Sequence, residues 1–550
     1  MSRFLNPPRR ALGAGIVAAL IASAAVAVVV AGCAGSSTTQ TAQAPTRTRP
    51  LETIFEAQSE LFTNPGATLD ELKRLGVDRV KVFLHWADVA PDPSSHTRPH
   101  FDASSPAAYP AAGWGPFDAV IRAAAARGVG LDLTLLSPAP LWATGPGVPK
   151  GTAIGFLGGW EPSANEFGSF VRAVATRYSG HYKPAGASSA LPRVDFWSIW
   201  NEPNNGVDLA PQAIDHSTVE VAPAMYRRLL DAAWSALQAT GHGQDRVLIG
   251  EIAPRGQTVG DQPGNFSQMV PLRFIRALYC VDGSLHPLQG QAAVERSCPS
   301  TAAGSKAFPD KHPGLFRSAG FAFHPYPQAF APNVATPDGL GADYADLPQL
   351  GKLERTLDAA MSVYGSSTRF PLYDTEFGYQ TNPPEATIAR AVHPPQAAAW
   401  ANQAEYMSWR NSQVVSWDQY LLADPPPGGS SFDTGLEFFG GKHKALYDAF
   451  RMPVWLPVTA ASGGHAVEVW GCVRPAHYPM QKSKAPQVAQ VQFKPAGGGP
   501  FTTVKRVTLT DPYGYFDTQV TFPSSGDVRI TWSYPHGPTI HSRTVRITIR

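Results

Sequence analysis

Eight short apolar runs, each followed by a stretch with helical spacing, succeed one another between residues 51 and 452. The runs are Ile54–Phe62, Arg79–Leu84, Gly130–Leu135, Val194–Trp200, Arg246–Glu251, Gly320–His324, Phe370–Thr375 and Val415–Tyr420. Several are near-continuous rather than alternating, as in Val80-Lys81-Val82-Phe83-Leu84. A strand of that kind fits burial on both faces, as in a parallel sheet covered by helices. Eight strand–helix units in about 400 residues fit an α/β fold of the (β/α)8 TIM-barrel type, the catalytic domain here spanning residues 51–455. A doubly wound open sheet is the alternative, but no Gly-rich phosphate loop follows any strand.

After Met452-Pro453 the texture changes. Val467–Trp470, Val488–Phe493, Val504–Leu509, Phe516–Phe522, Val528–Trp532 and Val545–Ile549 alternate apolar and polar residues, with turns between them. Short strands at about ten-residue spacing predict a small C-terminal β-sandwich over residues 459–550. A hydrophobic fraction of 43% against 16% charged supports large cores rather than disorder. The net charge of +2, with no basic stripe, offers no footprint for nucleic acid.

At the amino terminus Arg3, Arg9 and Arg10 precede an uncharged stretch from Ala11 to Ala31. This is an export pattern, and it ends in Val30-Ala31-Gly32-Cys33, which resembles a bacterial lipobox. The expectation is a lipoprotein-type signal over residues 1–33, lipidated at Cys33, then a flexible tether over residues 34–50. An uncleaved membrane anchor and plain secretion are the alternatives; all three place the remainder outside the membrane. In an oxidising compartment Cys280 and Cys298 are expected to form a disulfide, leaving Cys472 as a buried small hydrophobe. No paired-cysteine metal spacing is present, so neither a zinc site nor a cofactor is expected. The chain is read as a monomer.

Glycoside hydrolysis uses two carboxyl groups flanking one bond. In a barrel they belong at the carboxyl ends of different strands. Here the fourth run leads into Asn201-Glu202-Pro203-Asn204 and the seventh into Glu376-Phe377-Gly378-Tyr379. Two such groups set to act with retention should lie about 5–5.5 Å apart, and beyond about 6.5 Å the reading moves to inversion. A general acid at neutral pH also needs a raised pKa, which is the expectation for Glu202.

Trp197-Ser198-Ile199-Trp200-Asn201-Glu202-Pro203 resembles the strand-four motif of clan A, the large barrel clan of retaining glycosidases. The sandwich after the barrel makes the chain similar to families 39 and 5 in particular. The resemblance implies that Glu202 is the acid/base and Glu376 the nucleophile, with Asn201 contacting the sugar 2-hydroxyl. It implies that Tyr326 of His324-Pro325-Tyr326 hydrogen-bonds the nucleophile, and that Trp417 floors the sugar pocket. The clan often has a supporting Arg near an early strand end. Lys81, His85 and Trp86 stand there instead, so that role has no occupant. His85, Trp86 and Trp142 are further candidates to touch the sugar. Glu251, which also ends a run, has no evident partner and is set aside.

The activity this implies is retaining hydrolysis of a carbohydrate, most simply a β-linked poly- or oligosaccharide. Two alternatives share the sequence features: a non-catalytic glycan-binding lipoprotein, and an exopolysaccharide transglycosylase using the same site.

Overall fold

The computed structural model describes residues 51–550 apart from 214–217, 258–263, 336–340, 386–390 and 428–431. The signal segment with Cys33 and the tether lie outside the described residues.

Eight strands form one parallel sheet: β1 (Glu52–Glu56), β2 (Arg79–His85), β3 (Gly130–Leu136), β4 (Phe196–Ile199), β5 (Arg246–Ile252), β6 (Gly320–Phe323), β7 (Leu372–Asp374) and β8 (Ser416–Tyr420). Their spatial order is β7-β6-β5-β4-β3-β2-β1-β8. A parallel bridge between Leu372 and Val414, with Val415 N–H donating to Leu372 O at 2.9 Å, brings the two ends together into a nearly closed barrel. Ile54, Phe196, Leu248, Ala322 and Tyr373 pack together as a plug inside it.

The register decides which side chains enter the lumen. Glu56 pairs with Lys81, Lys81 with Asp132, and Thr134 with Ser198. Neighbours in a parallel row share a face, so these polar residues all point inward with the plug.

Helices cover the outside for legible reasons. In Pro65–Leu75 the Asn64 side chain caps Ala67 N–H at 3.2 Å, Pro65 opens the first turn and Gly76 closes the helix at φ +86°. Its Leu69, Leu72 and Leu75 are fully buried, each contributing roughly 1.5–3 kcal/mol.

One expected element is divided. The run Ile54–Phe62 is strand only to Glu56, and helix Gln58–Thr63 follows. Gln58 turns the chain there, because its side chain exchanges bonds of 2.7 and 3.1 Å with the backbone of Phe83 on β2.

Past the barrel two sheets face each other, antiparallel except where Ala460–Ala461 pairs with Val545–Ile549. One joins Val454–Trp455, Ala466–Cys472 and Tyr515–Thr521. The other contains Gln487–Pro495, Thr502–Leu509, Gly526–Ser533 and Val545–Ile549, plus short strands Ala460–Ala461 and Thr539–His541. They enclose a separate core of Val469, Val491, Phe493, Ile530 and Ile547.

The sandwich docks on the amino-end rim of the barrel, opposite the strand carboxyl ends. Arg474, fully buried, donates to Glu405 at 2.6 Å, to Thr53 Oγ1 on β1 at 2.8 Å and to Phe450 O at 2.9 Å. Tyr515 O–H also donates to Glu405, at 2.7 Å. A Cβ on Gly76 would lie 2.5 Å from the Arg474 backbone, so the two units meet without room for a side chain. Arg474→Leu is expected to lower stability by about 3–5 kcal/mol in chemical denaturation, because Glu405 then keeps a buried charge unpaired. Adding Glu405→Leu should recover most of the loss; a double variant as unstable as the single one would contradict this.

Candidate active site

Glu202 follows β4 on a strained turn. Trp200 has φ +70° and Glu202 φ +35°, a region non-glycine residues rarely occupy, and a residue before proline normally stays extended. Such conformations cost about 1–3 kcal/mol each and persist where surroundings hold them. Here Glu202 N–H donates to Glu251 O at 2.8 Å, and Asn205 N–H donates to Glu202 O at 2.7 Å. Glu376 leaves β7 directly, one residue after Thr375 whose N–H bonds Phe323 O on β6.

The two glutamates converge on His324. Its Nδ1 lies 3.0 Å from Glu202 Oε1 and 3.5 Å from Glu376 Oε2, and its Nε2 lies 2.8 Å from Glu251 Oε2. One oxygen each of Glu202 and Glu376 and one His324 nitrogen lie within 4.8 Å of one another. Tyr326 O–H donates to Glu376 Oε2 at 3.1 Å, and Asn205 donates to Glu202 Oε2 at 3.1 Å. Lys81, fully buried on β2, reaches Glu251 Oε2 at 2.8 Å, Glu376 Oε1 at 3.3 Å and Glu56 Oε1 at 3.5 Å. Thr375 Oγ1 donates to Glu251 at 2.8 Å. Asn201 Oδ1 is buried beside Glu202 with no hydrogen-bond partner among the described residues.

These contacts set the proton distribution. Burial disfavours the charged His324 ring, but Glu376, Glu202 and Glu251 outweigh it and push its pKa up to about 10, so both ring nitrogens donate at neutral pH. Burial would raise Glu202, yet the bond and charge of His324, with Asn205 and Lys81, hold it below the usual carboxylate range. The expected elevation is therefore reversed in the resting site: the imidazolium wins over the apolar surroundings. Burial likewise acts on Glu251 and loses to Lys81 and His324, which hold it well below the usual range. Glu56 goes the other way, driven well above the usual carboxylate range by burial and then by the charge of Glu376.

Not every candidate reaches the cleft. Trp417 pairs with Thr53 and points outward, where it lies 4.5 Å from the Phe377 ring; the inward rows pair Ile54 with Asp418 and Glu56 with Tyr420. Tyr420 and Phe432 stand over Tyr326 instead, with ring centroids at 6.3 and 5.1 Å from it. Trp86 opens a short helix and is fully buried against Phe167, Phe170 and Trp142. Trp142 packs on Trp86 and Phe101 and spends its N–H on Pro91 O at 2.9 Å. Both belong to the helical layer, because the chain has turned outward before reaching them. His85 does end at the inner rim, its Nδ1 donating to Ser137 O at 2.5 Å. Cys280 and Cys298 form a disulfide outside the cleft, and Cys472 is buried and unpaired.

Sequence reasoning missed Lys81 and Glu251. Lys81 fills the place where the Arg was absent. Glu251 should alternate outward, but β5 slips register between Ile249 and Ile252. Gly250 at φ +102° and Glu251 at φ +46° form the irregularity. It re-aims Glu251 into the lumen, as bulges beside active sites do. A Cβ on Gly250 would sit 2.6 Å from Ala322 O, so glycine at 250 was the available signal.

Glu202, His324 and Glu376 also have the composition of a metal site among the described residues. A doubly protonated imidazole, however, has no lone pair to offer a cation.

No family model matches the sequence, and no curated protein matches it. Solved structures do resemble the chain. A glucosidase from Croceicoccus marinus shares 13% identity, covering 90% of this chain and 96% of its own, at a TM-score of 0.45. A family 39 glycoside hydrolase from Bacteroides cellulosilyticus WH2 shares 13% identity over 86% and 81%, at 0.44. An endo-beta-1,4-mannanase from Thermotoga petrophila shares 11% identity over 92% and 98%, at 0.38. At such scores the strand order and the site geometry, rather than these likenesses, carry the functional reading.

Proposed function

We propose that this chain is a retaining glycoside hydrolase, with Glu376 as nucleophile and Glu202 as acid/base. The observation that carries the reading is the approach of the two carboxylates to within 4.8 Å across the mouth of the barrel, from β4 and β7. That spacing favours direct attack over the wider gap that leaves room for a water.

Glu376 attacks the anomeric carbon, and the bond from that carbon to the leaving oxygen breaks. The leaving oxygen takes a proton from Glu202. The route by which Glu202 acquires that proton runs through His324 Nδ1, 3.0 Å away. The charge of Glu376 is the largest single influence holding the proton on His324. As Glu376 becomes an uncharged ester that influence disappears, and the proton passes toward Glu202 as the leaving group needs it. In the second step Glu202, ionised, removes a proton from water, the water oxygen attacks the anomeric carbon and Glu376 is released. Its returning charge draws the proton back to His324. The unpartnered Asn201 Oδ1 accepts a sugar hydroxyl. The substrate is a β-linked poly- or oligosaccharide met outside the membrane, a location supported by the basic start and apolar stretch at the amino terminus.

The acid/base assignment has a chemical signature. With a dinitrophenyl glycoside, whose leaving group needs no proton, Glu202→Ala should form the ester normally and stall at hydrolysis. Azide should then accelerate turnover by about 10²-fold or more and yield a glycosyl azide of the starting configuration. No azide effect, with full activity on unactivated glycosides, would remove Glu202 from this role.

A further inference from the structure

Building on the glycosidase reading, we infer that Asp208 is a specificity-determining residue: with His85 it forms a subsite beside Glu202 that takes sugar hydroxyls and rejects a sugar bearing a carboxylate. Three consecutive strand ends build it. From Glu202 the chain winds through two turns, Asn205 N–H on Glu202 O at 2.7 Å and Asp208 N–H on Asn205 O at 3.0 Å. Trp200 Nε1–H pins the Asp208 carbonyl at 3.1 Å. Asp208 Oδ1 accepts from Ser137 Oγ, just beyond β3, at 2.6 Å. Ser137 O in turn accepts from His85 Nδ1, at the end of β2. Ser137 is buried, whereas His85 and Asp208 are half-buried. This leaves Asp208 Oδ2 and His85 Nε2 free of protein partners among the described residues, an acceptor and a ring nitrogen on the same rim, joined through Ser137.

The charge around this pair points to the ligand. The cations in contact with Glu202 and Glu376 among the described residues are Lys81 and His324, both fully buried and both occupied by carboxylates. Neither is available to a carboxylate on the sugar. Burial and then the charges of Glu202 and Glu376 push Asp208 up to about 8, so above that pH it adds a third negative charge beside theirs. A uronic acid would add a further negative charge beside Glu202, Glu376 and the ionised Asp208. A neutral sugar instead offers hydroxyl donors to Asp208 Oδ2.

The test is binding, read separately from turnover. Hydrolysis-resistant phenyl 1-thio-β-glycosides of the gluco, galacto and manno series, each beside its matching uronide, are titrated by NMR at about pH 9, where Asp208 is ionised, against the full chain and Asp208→Asn. For at least one pair the neutral member should bind about tenfold or more tightly than its uronide. In Asp208→Asn, which keeps the Ser137 contact and removes the charge that Asp208 carries at about pH 9, that gap should narrow by about tenfold. A uronide bound as tightly as its neutral counterpart, a gap unchanged in the variant, or no binding by any pair overturns the proposal. Selective binding without hydrolysis of the matching O-glycosides leaves the subsite standing and sinks the glycosidase reading instead.

Discussion

Replacing Glu376 by Gln is expected to cut kcat by about ten-thousandfold or more, because it removes the group that forms the intermediate. The amide preserves size and can still accept from Tyr326 O–H, 3.1 Å away in the native site. The loss should therefore come from chemistry and not from folding, which an unchanged circular dichroism spectrum would verify. The change also removes the charge that most strongly favours the protonated His324 ring. The variant should then show a second effect: the His324 ring, followed by NMR, should lose its proton at lower pH than in the native protein. Activity within tenfold of the native level would reject Glu376 as nucleophile. A native-like His324 titration would reject the coupling between the two groups.

The second large effect is expected at Lys81. Lys81→Met leaves Glu251 and Glu376 without the cation that lies 2.8 and 3.3 Å from them. Removing one member of a buried ionic network costs about 3–5 kcal/mol, a large share of a domain stability of about 5–15 kcal/mol. The pH dependence has a definite sign. Glu251 is held well below its ordinary value in the folded chain. Its contribution is thus fully present above the unfolded carboxylate pKa of about 4.3 and is lost as pH falls toward the folded one. The gap between native and variant stability in urea should be widest near neutrality and should shrink on acidification. A variant as stable as the native protein at pH 7 would mean that Lys81 is not what holds these carboxylates. Lys81→Arg retains the charge and should recover part of the stability, but the wider guanidinium has little room in a fully buried site.

What the sequence made legible follows from which signals are local. All eight barrel strands showed as apolar runs bounded by helical stretches, because burial on both faces leaves its mark in composition. Glu202 and Glu376 showed as acids at the ends of such runs. Lys81 hid for the same reason the strands were visible: between Val80 and Val82 it reads as part of a buried strand. Nothing local says that three carboxylates from β1, β5 and β7 meet it inside. Glu251 hid because one register slip reverses the face of everything after it, and such slips depend on the neighbouring strand. The tryptophans misled in the opposite direction. Trp417 ends a strand, but its parity puts it with Thr53 on the outer face, and only the β1–β8 pairing reveals that. Glu202's low pKa depended on His324, 122 residues away in the chain.

The most direct measurement is the anomeric configuration of the first-formed sugar, read by proton NMR before mutarotation, for whichever β-glycoside the purified chain turns over. Double displacement through Glu376 predicts that the product first appears as the β-anomer. An α-anomer at the earliest time points would contradict direct attack by Glu376 and require a water between the two carboxylates.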